Sequence, residues 1–183
     1  ALPILLSFGL QINQQNIDFS LIQNDELILE NENEAITSSI YLENEITVDR
    51  LKIIPGFRTT HYSINDEIYN EPRFSLAYEL NESTQLRAGF GDYHQFALSV
   101  SRQSIQEGPR NFWTLADGEA IPISKARHYI LGATKYFGEY DFSMEFFHKE
   151  YDGLSEFIER SVPILNDEGT GLILTLEQEF QTG

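Results

Sequence analysis

The sequence has no cysteine among its 183 residues, which excludes both a disulfide framework and a thiolate metal site. Basic residues are also few: 12 Lys and Arg stand against 29 Asp and Glu, and the net charge is −17. Because nucleic-acid binding requires a basic surface that neutralises phosphates, we expect no nucleic-acid partner. The excess acid predicts a solvated, mutually repelling surface, with a site for a divalent cation or a cationic ligand as the alternative.

Long apolar runs and helical periodicity are missing as well. No stretch approaches the roughly 18 consecutive apolar residues of a membrane-spanning helix, and no amphipathic helical period continues beyond a turn or two. The sequence instead alternates with a period of two. In YDFSMEF (140–146), Tyr, Phe, Met and Phe would leave one face of a strand, and Asp, Ser and Glu the other.

About eight segments follow this pattern, and we predict an all-β chain of antiparallel strands connected as hairpins. They lie near 4–12, 35–48, 51–64, 73–80, 84–93, 127–137, 140–146 and 171–180. Short turns at 49–50, 81–83 and 138–139 alternate with long polar connections at 13–34, 65–72, 94–126 and 149–170. This asymmetry, with strands of about 9–11 residues, is typical of outer-membrane β-barrels. Pro55 lies inside the third segment and predicts a bulge or a local break there.

The alternation also indicates which face of the strands contacts water. Charged side chains at regular positions are costly in a packed core but not in an aqueous lumen. We therefore predict that the apolar row of 140–146 faces lipid, whereas Asp141, Ser143 and Glu145 face a water-filled lumen. Tyrosines near strand ends are expected to form aromatic girdles. These are Tyr62, Tyr93, Tyr129, Tyr136 and Tyr140.

Five motifs occur in a characteristic order along the chain. They are EPR (71–73) opening a strand, GDYHQ (91–95) ending the next, ARHYILG (126–132), HKEYDGL (148–154) and GLILTLEQEF (171–180). Together they resemble the barrel of TonB-dependent outer-membrane receptors, particularly those of the Bacteroidetes type. The resemblance covers roughly residues 35–180.

The resemblance implies a barrel of about 22 strands with a plug domain, located in the outer membrane of a Gram-negative cell. Such a barrel imports a siderophore, a glycan or a peptide, with energy supplied through TonB. Because this sequence contains neither a plug domain nor a TonB box, we expect residues 1–183 to be a portion of one barrel domain. The implied partners are outer-membrane lipid, the TonB system acting through the plug, and a surface lipoprotein or the barrel-assembly machinery.

Four side chains are predicted to contact the ligand, from the lumen or from the long loop. They are Arg87, Tyr93, Arg110 and Trp113. Arginine offers a bidentate fork to carboxylate or phosphate, and an aromatic ring offers a stacking face. The alternative for Arg87 is a salt bridge to a neighbouring strand or to the plug. The alternative for Trp113 is an anchor that packs the loop.

No catalytic residue, metal site or cofactor is predicted, and we do not expect an enzyme. His94 stands two residues from Asp92, and His148 stands near Asp152, so either pair could orient a general base. We favour ordinary lumen or interfacial hydrogen bonds for both. The histidine spacing also lacks a pattern typical of metal ligands.

Two other functions remain open at this point. The chain could form a complete eight-stranded outer-membrane barrel with a structural, adhesive or enzymatic role, although the order of the motifs argues against it. It could also form a soluble lipocalin-like binding barrel, whose apolar faces would point inward. The Gly-x-Trp signature of lipocalins is missing, because Asn111 stands two residues before Trp113.

Overall fold

The computed structural model of the protein describes residues 3–23, 26–104, 108–165 and 172–182, with side chains described for 3–18, 33–99 and 113–154. All regular elements in these ranges are β-strands. They are β1 (Ile4–Gln23), β2 (Glu26–Val48), β3 (Leu51–Tyr62), β4 (Glu67–Asn81), β5 (Thr84–Gln95), β6 (Ala97–Ser104), β7 (Gly108–Leu115), β8 (Ser124–Phe137), β9 (Tyr140–Asp152), β10 (Ser155–Leu165) and β11 (Leu172–Thr182). Within the same ranges, no helix is long and apolar enough to cross a membrane.

The strands form two sheets, and the chain divides into two compact units. The first unit comprises Ala1–Gln15, Ala35–His94 and Lys125–Asp152, and the second comprises Asn16–Glu34, Gln95–Ser124 and Gly153–Gly183. A seven-stranded sheet has the order β1-β2-β3-β4-β5-β8-β9. In it, β2 with β3, β3 with β4, β4 with β5, and β8 with β9 pair antiparallel. The prediction of an all-β, antiparallel fold is confirmed.

The strand count differs from the prediction, because eleven strands replace about eight. The predicted connection 94–126 contains β6 and β7, and the predicted connection 149–170 contains β10. Strands β1 and β2 also continue through most of the predicted connection 13–34. Strands β6 and β7 are rich in polar residues, and the apolar residues of β10 fall at both odd and even positions, so these strands lack the alternation from which strands were predicted.

The three predicted short turns are confirmed, and they lie at one end of the seven-stranded sheet, which we call the turn end. Asp49 and Gly138 adopt the left-handed conformation, with φ of 52° and 62°. In the turn between β4 and β5, the Asn81 side chain accepts hydrogen bonds from the backbone N and the hydroxyl of Ser83. The opposite end of the sheet is called the far end.

The predicted break at Pro55 is present as a gap in the pairing of β3 with β2. Pro55 pairs with Phe74 of β4. On the β2 side, pairing stops after Glu43↔Gly56 and resumes at Ile46↔Ile53 without a change of register. A proline has no backbone N–H to donate, so the strand loses pairing on one side and keeps it on the other.

The two faces of the seven-stranded sheet have opposite polarity. Residues paired across antiparallel strands share a face. Pairs such as Leu42↔Phe57, Phe74↔Phe90 and Leu131↔Phe146 define an apolar face. Pairs such as Ser39↔Thr60 and Thr134↔Ser143 define a polar face.

Exposure is inverted relative to a water-soluble sheet. On the apolar face, Phe8 is 77 % exposed and Met144 is 62 % exposed. On the polar face, Thr60 is 2 % exposed and Glu71 is 5 % exposed. The predicted alternation of 140–146 is confirmed, since Phe142 and Met144 lie on the apolar face while Ser143 bonds Thr134 on the polar face.

The girdle prediction is wrong for three of its five tyrosines. Tyr62 pairs with Thr37 and Glu67 on the polar face and is 0 % exposed. Tyr93 also lies on the polar face, and so does Tyr136, which pairs with Asp141. Tyr129 and Tyr140 lie on the apolar face and are exposed. Nearness to the end of a strand therefore does not show whether a tyrosine lies on the polar face or on the apolar face.

The second unit contains a four-stranded sheet with the order β11-β10-β6-β7. Strands β10 with β11 and β6 with β7 pair antiparallel, and β10 meets β6 in parallel. A small core of Leu98, Ala116 and Ile121, with Ile123 packed against it, supports the connection after β7. There the Asp117 carboxylate accepts the backbone N–H groups of Glu119 and Ile121.

Gly9 provides a sharp test of the polar face. A Cβ at Gly9 would lie 2.5 Å from Cζ of Tyr41, whereas a Cβ at Gly56 would meet its nearest atom at 3.7 Å. We expect Gly9→Ala to displace the Tyr41 ring and lower the free energy of unfolding by about 1–2 kcal/mol. Gly56→Ala is the matched control and is expected to change it by less than about 1 kcal/mol. The midpoint of urea unfolding of the full-length protein in detergent measures both, and equal midpoints would contradict the expectation.

Candidate functional site

The four predicted ligand contacts lie on two strands, two of them on β5 and two on β7. Arg87 and Tyr93 lie on the polar face of β5, six positions apart, which corresponds to about 20 Å along the strand. Trp113 lies on β7 and is 57 % exposed. Arg110 pairs with Arg102 in the β6–β7 ladder, and its side chain lies outside the described side chains. Arg87 and Tyr93 therefore belong to separate surroundings on the polar face.

A buried carboxylate organises the far end of the polar face. Glu71 Oε1 accepts the backbone N–H of His94 at 2.7 Å, and Oε2 accepts Nη2 of Arg73 at 3.0 Å. Arg58 Nε lies 3.8 Å from the same Oε2, and His94 Nδ1 lies 3.6 Å from Oε1. Two guanidinium groups and an imidazole thus surround one carboxylate.

Hydroxyl groups extend this arrangement toward β2. Arg58 donates from Nη2 to Ser39 Oγ at 2.9 Å, and Ser39 and Thr60 share a hydrogen bond of 2.9 Å. Both hydroxyl residues are buried. A buried polar group is costly unless it is hydrogen-bonded, and this network provides the partners.

Aromatic rings complete the far end. The Arg73 guanidinium carbon lies 4.6 Å from the centroid of the Tyr93 ring. Tyr93 folds back over Gly91, where a Cβ would be 2.7 Å from its hydroxyl. The His128 ring lies 4.9 Å from the Tyr93 ring. We call Arg58, Glu71, Arg73, Tyr93 and His94 the far-end cluster.

A groove of about 260 Å³ borders the far-end cluster. Its lining includes Gln11, Glu43, Arg58 and Arg73. Gly56 also lines the groove and has no side chain to fill it. The guanidinium groups can donate to carboxylate or phosphate oxygens. The nearby Tyr93 ring, held under Arg73, offers a face for a planar group.

Arg87 has different surroundings. Its Nη2 donates to Thr134 Oγ1 at 3.2 Å, and Thr134 and Ser143 share a hydrogen bond of 3.1 Å. It borders a second groove of about 230 Å³, lined also by Lys52, Ser75 and Gly89. The salt bridge to a neighbouring strand, considered from the sequence, is not formed within the described part of the chain.

In the structure, residues of both His–Asp pairs considered from the sequence contact other partners. Asp92 instead accepts two hydrogen bonds from Arg127, at 2.8 and 3.0 Å, and pairs with Lys125 at 3.3 Å. His148 contacts Glu150 at 3.2 Å. Neither pairing leaves a histidine oriented by aspartate as a general base. Among the described residues, no three His, Asp or Glu side chains group as metal ligands.

The sequence predictions missed most of the far-end cluster. Arg58, Glu71, Arg73 and His94 were not named as site residues. The alternation of the sequence could have placed two of these residues on the polar face. Arg58 follows Phe57 and Arg73 precedes Phe74, and each phenylalanine lies on the apolar face. The EPR motif contained a further signal, since it places Glu71 and Arg73 on the same face of β4.

Comparison with known proteins identifies similar barrels. Residues 6–168 match the family described as TonB dependent receptor-like, beta-barrel. The siderophore receptor PirA from Acinetobacter baumannii superposes with a TM-score of 0.62 at 15 % identity, covering 97 % of this chain and 29 % of the receptor. The PirA receptor from Pseudomonas aeruginosa superposes with a TM-score of 0.59 at 13 % identity, covering 97 % and 31 %.

A third similar structure is a mutant of the ferric enterobactin receptor PfeA from Pseudomonas aeruginosa, in complex with enterobactin. It superposes with a TM-score of 0.63 at 16 % identity, covering 89 % of this chain and 26 % of the receptor. No curated protein matches the sequence. At these identities the superpositions show a shared fold. The chain spans less than a third of the length of each of these receptors.

Glu71 is expected to contribute more to stability than a partly exposed carboxylate on the same face. Glu71→Gln removes the charge that faces Arg58 and Arg73, and we expect a loss of about 1–3 kcal/mol in the free energy of unfolding. Glu45→Gln is the control, because Glu45 pairs with Lys52 at 2.6 Å with both side chains partly exposed. Its expected cost is below about 1 kcal/mol. Urea unfolding of the full-length protein in detergent measures both, and similar costs would refute a special role for Glu71.

Proposed function

This chain belongs to the TonB-dependent receptor-like β-barrel family, and from that premise we propose that it forms part of an outer-membrane transporter that imports a ligand. In this proposal, residues 1–183 are a portion of one barrel domain. The plug domain and the contact with TonB belong to other parts of the receptor. Energy for import comes from the TonB system of a Gram-negative cell.

The polarity of the seven-stranded sheet is the observation that carries the proposal. A contiguous exposed apolar face is unfavourable in water and favourable against lipid. On three strands the apolar face gives way to polar residues toward the far end: Phe57 is followed on that face by Thr59, Phe90 by Asp92 and Phe146 by His148. A change from apolar to polar side chains along a strand fits the edge of a lipid layer. The polar face then lines the aqueous passage.

The far-end cluster is our candidate for ligand contact. Arg58 and Arg73 would donate to an anionic group, and Tyr93 would stack against a planar one. Glu71 would position both arginines. Arg110 and Trp113 remain predicted ligand contacts on β7.

Among siderophores, glycans and peptides, we propose an iron–siderophore ligand. The receptors that superpose on this chain are described as siderophore and ferric enterobactin receptors. Guanidinium groups beside a tyrosine ring also suit the anionic, planar oxygen donors of such chelates. Outer-membrane lipid is the proposed partner of the apolar face, and a surface lipoprotein or the barrel-assembly machinery remains a prediction.

The two alternatives considered from the sequence fit the geometry less well. A complete eight-stranded barrel does not match eleven strands, nor a sheet whose described order has β1 and β9 at its edges. A lipocalin-like barrel would bury its apolar face, whereas here that face is exposed. The family is one of receptors, which supports a transport role over an enzymatic one.

Uptake by whole cells tests the proposed function. A Gram-negative strain lacking its own siderophore receptors would express the complete receptor and be supplied with radiolabelled ferric siderophores. We expect uptake that disappears when TonB is deleted. Uptake that is independent of TonB would contradict the transport mechanism. TonB-dependent growth on a glycan or a peptide, without iron uptake, would overturn the siderophore assignment alone.

Substitutions at the far end test the ligand contact. Arg73→Ala and Tyr93→Ala are each expected to raise the Kd for the ligand about tenfold, because each removes one charge-assisted or stacking contact. Tyr140→Ala is the control, since it removes the same aromatic side chain from the apolar face. Binding to purified receptor measures all three. Unchanged affinity in both far-end variants would rule out this cluster as the contact.

A further inference from the structure

Arg87 differs from Arg58 and Arg73 on the polar face because no described carboxylate forms an ion pair with it. Arg73 and Arg58 lie 3.0 and 3.8 Å from the carboxylate of Glu71. Within the described part of the chain, Arg87 forms no ion pair, although Glu145 lines the same groove. Among the described residues, Arg87 and Glu145 thus share a groove without forming an ion pair.

Neutral hydroxyl groups hold the Arg87 side chain in place. Thr134 accepts Nη2 at 3.2 Å and is only 7 % exposed, and Ser143 supports Thr134 at 3.1 Å. A hydroxyl orients a guanidinium without neutralising it, whereas a carboxylate does both. Of the five N–H donors of the guanidinium, this contact uses one.

Two glycines lie beside Arg87 or in the lining of its groove. A Cβ at Gly132 would lie 3.8 Å from Arg87 Nε, and a Cβ at Gly89 would lie 3.8 Å from Cβ of Ile130. The groove of about 230 Å³ is also lined by Lys52 and Ser75, which add donors. Lys52 is paired with Glu45, whereas Arg87 forms no ion pair among the described residues, although the Glu145 carboxylate also lines the groove.

We propose that Arg87 is a second anion-binding station, which receives a carboxylate, phosphate or similar oxyanion group of the ligand after it leaves the far end. It lies about 20 Å along β5 from Tyr93. This inference rests on the proposed function, in which the polar face lines the passage. It assigns to the groove a ligand class, an oxyanion, and to Thr134 and Ser143 the role of positioning residues.

Crystals of the complete receptor soaked in selenate test the site directly, because selenate is an oxyanion visible by anomalous scattering. We expect an anomalous peak beside the Arg87 guanidinium in the wild type and in Arg87→Lys, and none in Arg87→Gln. An unchanged peak in Arg87→Gln, or no peak at Arg87, would overturn the proposal. So would a carboxylate from the remainder of the receptor paired with Arg87, which would make the residue a structural contact.

Transport provides the second readout and separates this inference from the proposed function. For an anionic ferric siderophore, we expect Arg87→Gln to lower the uptake rate about tenfold and Arg87→Lys to retain most of it, because charge is the property required. The Kd for binding at the far end is expected to stay within about twofold of wild type. Equal losses in Arg87→Gln and Arg87→Lys at normal expression would refute the anion station. Absence of uptake by the wild type would refute the proposed function and leave the selenate result to decide on the site.

Discussion

A β-strand sends successive side chains to opposite faces, and the seven-stranded sheet depends on this constraint throughout. Each exposed apolar residue commits its neighbours in sequence to the other side. Phe57, for example, stands between Gly56 and Arg58, and Phe74 stands between Arg73 and Ser75. The apolar face and the polar face are therefore one pattern seen from two sides. A change of register by one residue would exchange them and place charges against lipid.

The polar face can bury charge because its groups compensate one another. Glu71 is almost inaccessible, yet Arg73, Arg58 and the backbone of His94 surround it. The hydroxyl pair of Ser39 and Thr60 then takes up a further donor of Arg58. At Arg87 the described residues provide a hydroxyl partner and no ion pair. One sheet thus holds arginines in two ways, with and without an ion-paired carboxylate among the described residues.

Sequence reasoning succeeded where apolar and polar residues alternate along a strand and failed where they do not. The alternation at 140–146 and the turns at 49–50 and 138–139 were predictable, because periodicity and turn chemistry are local. Strands β6 and β7 were missed, since short, polar strands are specified by pairing with partners rather than by their own pattern, and β10 was missed because its apolar residues fall at both odd and even positions. Most of the far-end cluster was missed for a related reason. It joins β3, β4 and the end of β5, and those strands meet only when the register is known.

The central claim is that the two faces of this sheet meet lipid and water, respectively. The chain contains no cysteine, so single cysteines introduced at positions 141 to 146 give unambiguous signals once any cysteine elsewhere in the receptor is replaced. Labelling with a charged, water-soluble maleimide in outer-membrane preparations would measure the exposure of each position to water. The account predicts rapid labelling at 141, 143 and 145 and slow labelling at 142, 144 and 146. Uniform rates along the strand, or the opposite alternation, would contradict it.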